Sequence, residues 1–178
     1  MHYNKRILVV DRKNVFYYYH CYIRMQKITP FLWFEKDAKK VAEYYLSIFK
    51  DGKIKDSSTM EDTPSGTVEI VTIELFGQDF TLMSAGPEFK FTEAVSFVVN
   101  CKDQEEVDYY WEKLTADGGE ESVCGWLKDK YGLSWQITPE RLTELTSDPD
   151  KEKANKATQA MLKMKKIVIA DLEKAVEG

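Results

Sequence analysis

The sequence predicts an α+β fold built from a duplicated strand–helix unit, and three observations carry that prediction. The segment Lys36-Asp37-Ala38-Lys39-Lys40-Val41-Ala42-Glu43-Tyr44-Tyr45 returns 66 positions later, without a gap, as Lys102-Asp103-Gln104-Glu105-Glu106-Val107-Asp108-Tyr109-Tyr110-Trp111. Both copies run on to an Asp-Gly pair, Asp51-Gly52 and Asp117-Gly118. Each copy is preceded by a short apolar stretch, Thr29–Glu35 or Val95–Cys101, that reads as a buried strand and shares a Phe at the matched position (Phe31 and Phe97). Each is followed by alternating segments broken by turn residues, the pattern of antiparallel strands. Self-similarity at a fixed offset marks a duplicated module.

In the first unit, Ile28–Phe34 reads as a strand, with Pro30 placing it at an edge or a strand start. The helix after Asp37 buries Val41, Tyr45 and Ile48 at i, i+4, i+7 spacing and ends near Asp51-Gly52. Lys53–Thr59 reads as a strand, and a polar loop leads through Pro64-Ser65-Gly66. Thr67–Leu75 alternates, turns at Phe76-Gly77-Gln78-Asp79 and returns as Phe80–Ser84, a hairpin signal. The second unit repeats the order. It has a strand at Ala94–Cys101, a helix from Asp103 burying Val107, Trp111 and Leu114, and a weak strand at Gly118–Glu121. A hairpin of Val123–Lys128 and Ser134–Thr138 turns at Lys130-Tyr131-Gly132, where Gly supplies positive φ. Thr138-Pro139-Glu140 predicts a helix with Thr as N-cap and Pro at the first position. Asp148-Pro149 predicts another, with Ala154, Ala157, Met161 and Met164 on one side. Ile169–Val176 reads as a last amphipathic helix.

Length and composition suit one domain or two modules sharing a core: 178 residues, 43% apolar and 13% aromatic. A net charge of −5 argues against nucleic acid as a partner, because phosphate binding needs a basic face. No apolar run approaches the roughly 20 residues of a membrane span, so no membrane partner is expected. Cys21, Cys101 and Cys124 are odd in number and lack metal or redox spacing, which fits a reducing cytoplasm. Residues 1–24 differ in composition from the rest. Lys5, Arg6, Arg12, Lys13 and Arg24 face only Asp11, both histidines (His2 and His20) lie here, and Tyr17-Tyr18-Tyr19 follows a broken apolar stretch. The segment reads as a non-native or disordered extension with the true start at Met25, the alternative being an added edge strand.

Several blocks carry a resemblance to a known family. They are Lys27-Ile28-Thr29-Pro30-Phe31-Leu32-Trp33-Phe34, Gly86-Pro87-Glu88-Phe89-Lys90-Phe91, Met161–Ile167, and above all Cys124-Gly125-Trp126-Leu127-Lys128-Asp129-Lys130-Tyr131-Gly132-Leu133-Ser134-Trp135-Gln136-Ile137. The chain from Met25 onward resembles the PhnB-like branch of the vicinal oxygen chelate (glyoxalase/bleomycin-resistance/dioxygenase) superfamily, whose members often carry the legacy label 3-demethylubiquinone-9 3-methyltransferase. The resemblance implies two βαβββ modules, about 25–86 and 94–139, forming a partly open eight-stranded barrel around a cleft. A C-terminal helical tail over 140–178 and a homodimer complete that expectation.

Metal enzymes of the superfamily place His, Gln or Glu at four inward positions, which fall here near Pro30, Ser96, Met83 or Ser84, and Gln136. Hard cations need oxygen or nitrogen donors, so this set predicts no metal. No cofactor is expected either: a methyl-donor site of the Rossmann type needs a Gly-rich turn, and no G-x-G occurs. The leading expectation is a metal-independent protein that binds an apolar or aromatic small molecule. The alternative is an enzyme of this fold, either metal-dependent or the methyltransferase of the legacy name.

Ser96 and Gln136 are candidate polar contacts to a ligand, or partners for one another. Trp33, Trp126 and Trp135 are candidate stacking surfaces, or core. Phe89 and Phe91 are candidate lid residues, or filling for the joint between modules. Glu74 is the candidate catalytic base if burial raises its pKa, and an edge charge otherwise.

Overall fold

A computed structural model of the chain describes residues 26–178, together with the backbone of two short strands, β1 (Arg6–Val10) and β2 (Phe16–His20). These two pair antiparallel with each other, and among the described residues no ladder joins them to another sheet. The reading of residues 1–24 as a non-native extension otherwise lies outside the described residues.

The repeat in sequence becomes a repeat in topology. The first module consists of β3 (Phe31–Phe34), α1 (Ala38–Ile48), β4 (Gly52–Thr63), β5 (Gly66–Leu75) and β6 (Gln78–Ser84). The second consists of β7 (Ser96–Cys101), α2 (Gln104–Thr115), β8 (Glu120–Glu121), β9 (Trp126–Lys128) and β10 (Ser134–Pro139). The sheet orders are β3-β6-β5-β4 and β7-β10-β9-β8, so each module places its last strand parallel to its first and antiparallel to its third. Among the described residues no ladder joins the two four-stranded sheets, and the barrel is accordingly open.

The duplicated helices start differently. Asp103 is extended and its side chain accepts from the Glu106 amide at 2.9 Å, a regular N-cap. Its counterpart Asp37 has φ 57° and makes no such bond; it pairs instead with Lys40 at 3.1 Å. Both helices bury the faces that their spacing predicts: Val41, Tyr45 and Ile48 in α1, and Val107, Trp111 and Leu114 in α2. Each helix covers one side of its own sheet, and the two buried sides form one continuous core. Aromatic rings cross the seam, with Trp135 lying 5.7 Å from Tyr45 and 5.2 Å from Phe49, and Phe80 5.1 Å from Phe97.

Several expected boundaries move for local reasons. β4 continues to Thr63, because its ladder with β5 resumes after a register shift and closes on a tight turn where Thr63 Oγ1 bonds Gly66 and Ser65. β9 begins only at Trp126. Cys124 (φ 57°) and Gly125 (φ 82°) leave the strand direction, and their amides donate to the Met164 and Lys165 carbonyls of the tail. A Cβ at Gly125 would lie 2.9 Å from the Ile137 carbonyl oxygen, so both its φ and its surroundings require glycine. Pro139 itself, not Thr138, precedes α3 (Glu140–Thr146) as its N-cap. α4 (Lys151–Met161) starts after Asp150, whose carboxylate accepts from the Glu152 and Lys153 amides; Asp148 in turn accepts from the Asp150 amide.

With α5 (Ile169–Glu177), these helices bury a second cluster of Leu142, Leu145, Ala157, Ile167 and Leu172. Gln104 fastens this tail to α2, donating to the Ile167 carbonyl and accepting from the Ile169 amide. Among the described residues no helix is long and apolar enough to cross a membrane.

Candidate functional site

The turn from β9 to β10 is organised by one buried carboxylate. Asp129, 2% exposed, accepts four hydrogen bonds. Oδ1 takes the backbone N–H groups of Tyr131 (2.9 Å) and Leu133 (3.1 Å), and Oδ2 takes the Tyr45 hydroxyl (2.8 Å) and the Trp135 indole N–H (2.9 Å). Burial pushes its pKa above the usual carboxylate range, while the four donors pull it back down. The bond to Tyr45 joins the second module's turn to the first module's helix. The same carboxylate holds the backbone of Tyr131 through its amide.

Tyr131 forms part of a cavity of about 420 Å³ at the seam of the modules, walled also by Trp33, Phe34, Phe89 and Phe91. β3 supplies Trp33 and Phe34, and the segment leaving β6 is pinned beside them. Gly86 donates to the Glu35 carbonyl and accepts from the Trp33 indole at 2.8 Å. Phe89 then stands at 89° to Trp33 with centroids 5.0 Å apart, and Phe91 lies 5.2 Å from Phe34. Tyr131 approaches Phe34 from the other side at 5.8 Å and 83°. The rings stand edge to face, the arrangement their quadrupoles favour.

A second cavity of about 490 Å³ lies elsewhere along the seam, walled by Phe49, Phe76, Phe80, Phe97, Tyr110 and Trp135. A recess of about 140 Å³, lined by Trp126 and Ser134, adjoins the first cavity and shares Glu120 and Lys128 with it. Among the described residues, neither the buried Ser134 Oγ there nor the buried Tyr44 Oη near Tyr131 has a hydrogen-bond partner.

The residues singled out from sequence therefore divide. Trp33, Phe89 and Phe91 come together in the first cavity; Phe89 is 66% exposed at its mouth, whereas Phe91 packs into the joint. Trp135 is a core residue, 4% exposed, at the wall of the second cavity, and Trp126 belongs to the recess. Gln136 Nε2 donates to Ser96 Oγ at 2.9 Å, so these two polar groups satisfy one another, away from the aromatic walls. Glu74 sits on β5 opposite Lys53, 2.7 Å from its ammonium and 3.7 Å from that of Lys55. The Lys53 hydrogen bond holds its carboxyl below the usual range, the reverse of what a base working near neutrality requires.

The sequence reading missed Phe34, Tyr131 and Asp129 as site residues. The Asp-Lys-Tyr-Gly turn was visible, but only the fold brings it onto β3.

The positions a metal would use do not fit one. Met83 pairs with Trp33 in the β3–β6 ladder, Ser84 is buried beside it, Pro30 offers only its carbonyl, which accepts from the Thr81 amide, and Ser96 and Gln136 are bonded together. Among the described residues, no three His, Cys, Asp or Glu side chains converge in a group able to hold an ion.

Residues 26–138 match the family model described as 3-demethylubiquinone-9 3-methyltransferase. Among solved structures, the chain is similar to a Bacillus cereus protein described as a 3-demethylubiquinone-9 3-methyltransferase, PhnB. It is 34% identical over 64% of this chain and 99% of that one, with a TM-score of 0.58. A Pseudomonas aeruginosa protein is 17% identical over 65% of this chain and 98% of its own, with a TM-score of 0.53. The fosfomycin resistance protein FosX of Listeria monocytogenes is 19% identical over 68% and 97%, with a TM-score of 0.51. At those identities the last two show the fold alone. No curated protein matches the chain.

Proposed function

We propose that this chain, which belongs to the 3-demethylubiquinone-9 3-methyltransferase (PhnB-like) family of the vicinal oxygen chelate superfamily, is a metal-independent binding protein for a flat apolar or aromatic small molecule. The observation that carries the reading is the cavity of about 420 Å³ between Trp33, Phe34, Phe89, Phe91 and Tyr131. Such a volume lies within the range of ligand pockets, and aromatic walls contribute large apolar area at small cost in side-chain entropy. Burying about 150 Å² of a bicyclic ligand is worth roughly 4 kcal/mol before the cost of association. A ligand that uses this apolar contact alone therefore binds no tighter than about 1 mM, and tighter binding needs polar contacts as well.

Metal independence is supported by the donor set: a thioether, a proline carbonyl, two serines and an amide do not replace the hydration shell of a hard cation. The expected assembly is a cytoplasmic homodimer. Phe31, Ile54 and Met60 in the first module and Val95 and Val98 in the second leave apolar surface exposed that a second copy would cover. Light scattering that returned a single-chain mass would remove the dimer from the account.

A thermal-shift screen of quinones, aromatic antibiotics and phosphonates tests the binding reading, run with and without a chelator. A planar aromatic ligand should raise the melting temperature equally in both, and Trp33→Ala should abolish the shift. Stabilisation that appears only when a divalent metal is added would reject metal independence.

A further inference from the structure

We propose that the aromatic cavity selects an anionic ligand, an aromatic ring bearing a carboxylate or a similar oxyanion. This inference rests on the binding reading above and specifies the charge of the molecule bound.

The chain carries an excess of acidic residues overall, with a formal charge of −5. Around this cavity the balance reverses. Lys36, Lys90, Lys128 and Lys130 line it against two carboxylates, Glu35 and Glu120. Lys128 is ion-paired with Glu93. The other three have no carboxylate within ion-pair distance among the described residues. Lys130 is held instead over aromatic faces, its ammonium 4.3 Å from the Tyr44 ring centre and 5.5 Å from that of Tyr131. A cation anchored on a ring quadrupole keeps its full charge while its position is restrained.

The second cavity is the internal control. It is the more voluminous of the two and equally aromatic, yet among the described residues no lysine or arginine lines it, and Glu106 is its charged group. Aromatic walls alone thus do not bring lysines with them in this fold. Their clustering is specific to the space between Trp33 and Tyr131.

Lys36 lies in the loop between β3 and α1, two residues past Phe34, and Lys90 stands between Phe89 and Phe91. Two ring-bearing segments therefore each present an ammonium at the edge of the apolar space. A ring lying between the walls would place a substituent within reach of one or both. Both lysines are exposed, so their attraction is moderate and screened by salt.

The test uses the full chain and three probes of one shape: 2-naphthoate, 2-naphthamide and 2-naphthylmethylammonium, titrated calorimetrically at low and at moderate salt. 2-Naphthoate should bind about 5-fold or more tighter than the amide at low salt, with the margin shrinking as salt rises. The Lys36→Gln/Lys90→Gln variant, whose exposed positions leave the core intact, should lose most of the margin of 2-naphthoate over the amide, Lys130 holding the remainder. Equal binding of acid and amide, tighter binding of the ammonium probe, or undiminished 2-naphthoate binding by the variant would each overturn the charge preference and leave the aromatic-binding reading standing. If none of the three probes binds, both readings fall.

Discussion

Removing the Asp129 carboxylate is the perturbation whose size the structure fixes best. Asp129→Ala leaves the Tyr45 hydroxyl, the Trp135 indole N–H and the Leu133 amide without acceptors, all three on buried residues, while the half-exposed turn at Tyr131 can take water. A buried donor left unpaired costs roughly 1–3 kcal/mol. Water entering the vacated space and relief of a desolvated charge offset part of that sum. A net loss of about 3–5 kcal/mol is expected, equivalent to roughly 6–20 °C in melting temperature for a chain of this size. Asp129→Asn keeps the shape and one acceptor oxygen and should lose less, about 1–3 kcal/mol.

The pH dependence has a definite sign. Burial raises the folded carboxyl's pKa, so the folded state holds the proton more tightly than the unfolded chain. Stability relative to the non-titrating Asp129→Asn variant is then greatest below the ordinary carboxylate value and falls as pH rises through the raised one. Urea unfolding monitored by tryptophan fluorescence measures all three quantities. An Asp129→Ala variant within about 1 kcal/mol of the parent, with unchanged m value, would refute the account of this node.

Three further outcomes follow from particular contacts. Gly125→Ala forces a Cβ against the Ile137 carbonyl at a residue with positive φ; a loss of about 1–3 kcal/mol and faster hydrogen exchange at residues 124–125 should result. The Cys101 thiol, fully buried and pushed up from 9 to about 12, should resist iodoacetamide at pH 8 until the chain unfolds, as peptide mass spectrometry would record. Its contribution to stability, present in full below about pH 9, should be lost as pH rises from 9 towards 12. Glu74→Gln removes only a surface ion pair with Lys53 and Lys55 and should leave ligand binding unchanged; a large loss of affinity or of any turnover would return Glu74 to the site.

The architecture was legible because helix and strand periodicity are local properties, and the gapless repeat from Lys36 to Lys102 required the same module twice. Buried faces of both helices followed directly from the spacing of Val41, Tyr45 and Ile48 and of Val107, Trp111 and Leu114. Strand and helix ends were less legible. The exit of Cys124-Gly125 from β9 depends on amide bonds to Met164 and Lys165, some 40 residues downstream, and no local pattern encodes that.

The site was legible by residue type and not by grouping. Trp33, Phe89 and Phe91 could be named as candidate ring surfaces, but Tyr131 joins them through a turn whose carboxylate, Asp129, accepts from both the Tyr131 amide and the distant Tyr45 hydroxyl. Trp135, equally plausible by type, is drawn into the core by that same carboxylate. The lysines were legible only as surface charge, since their clustering depends on three segments, around residues 36, 90 and 130, converging in space.

A crystal structure of the chain with its tightest aromatic ligand, grown in the presence of a chelator, tests the central claim most directly. The ligand should lie between Trp33 and Phe91 with Tyr131 against it. Density for the ligand on the Ser96–Gln136 face, or binding that requires a coordinated cation, would contradict it.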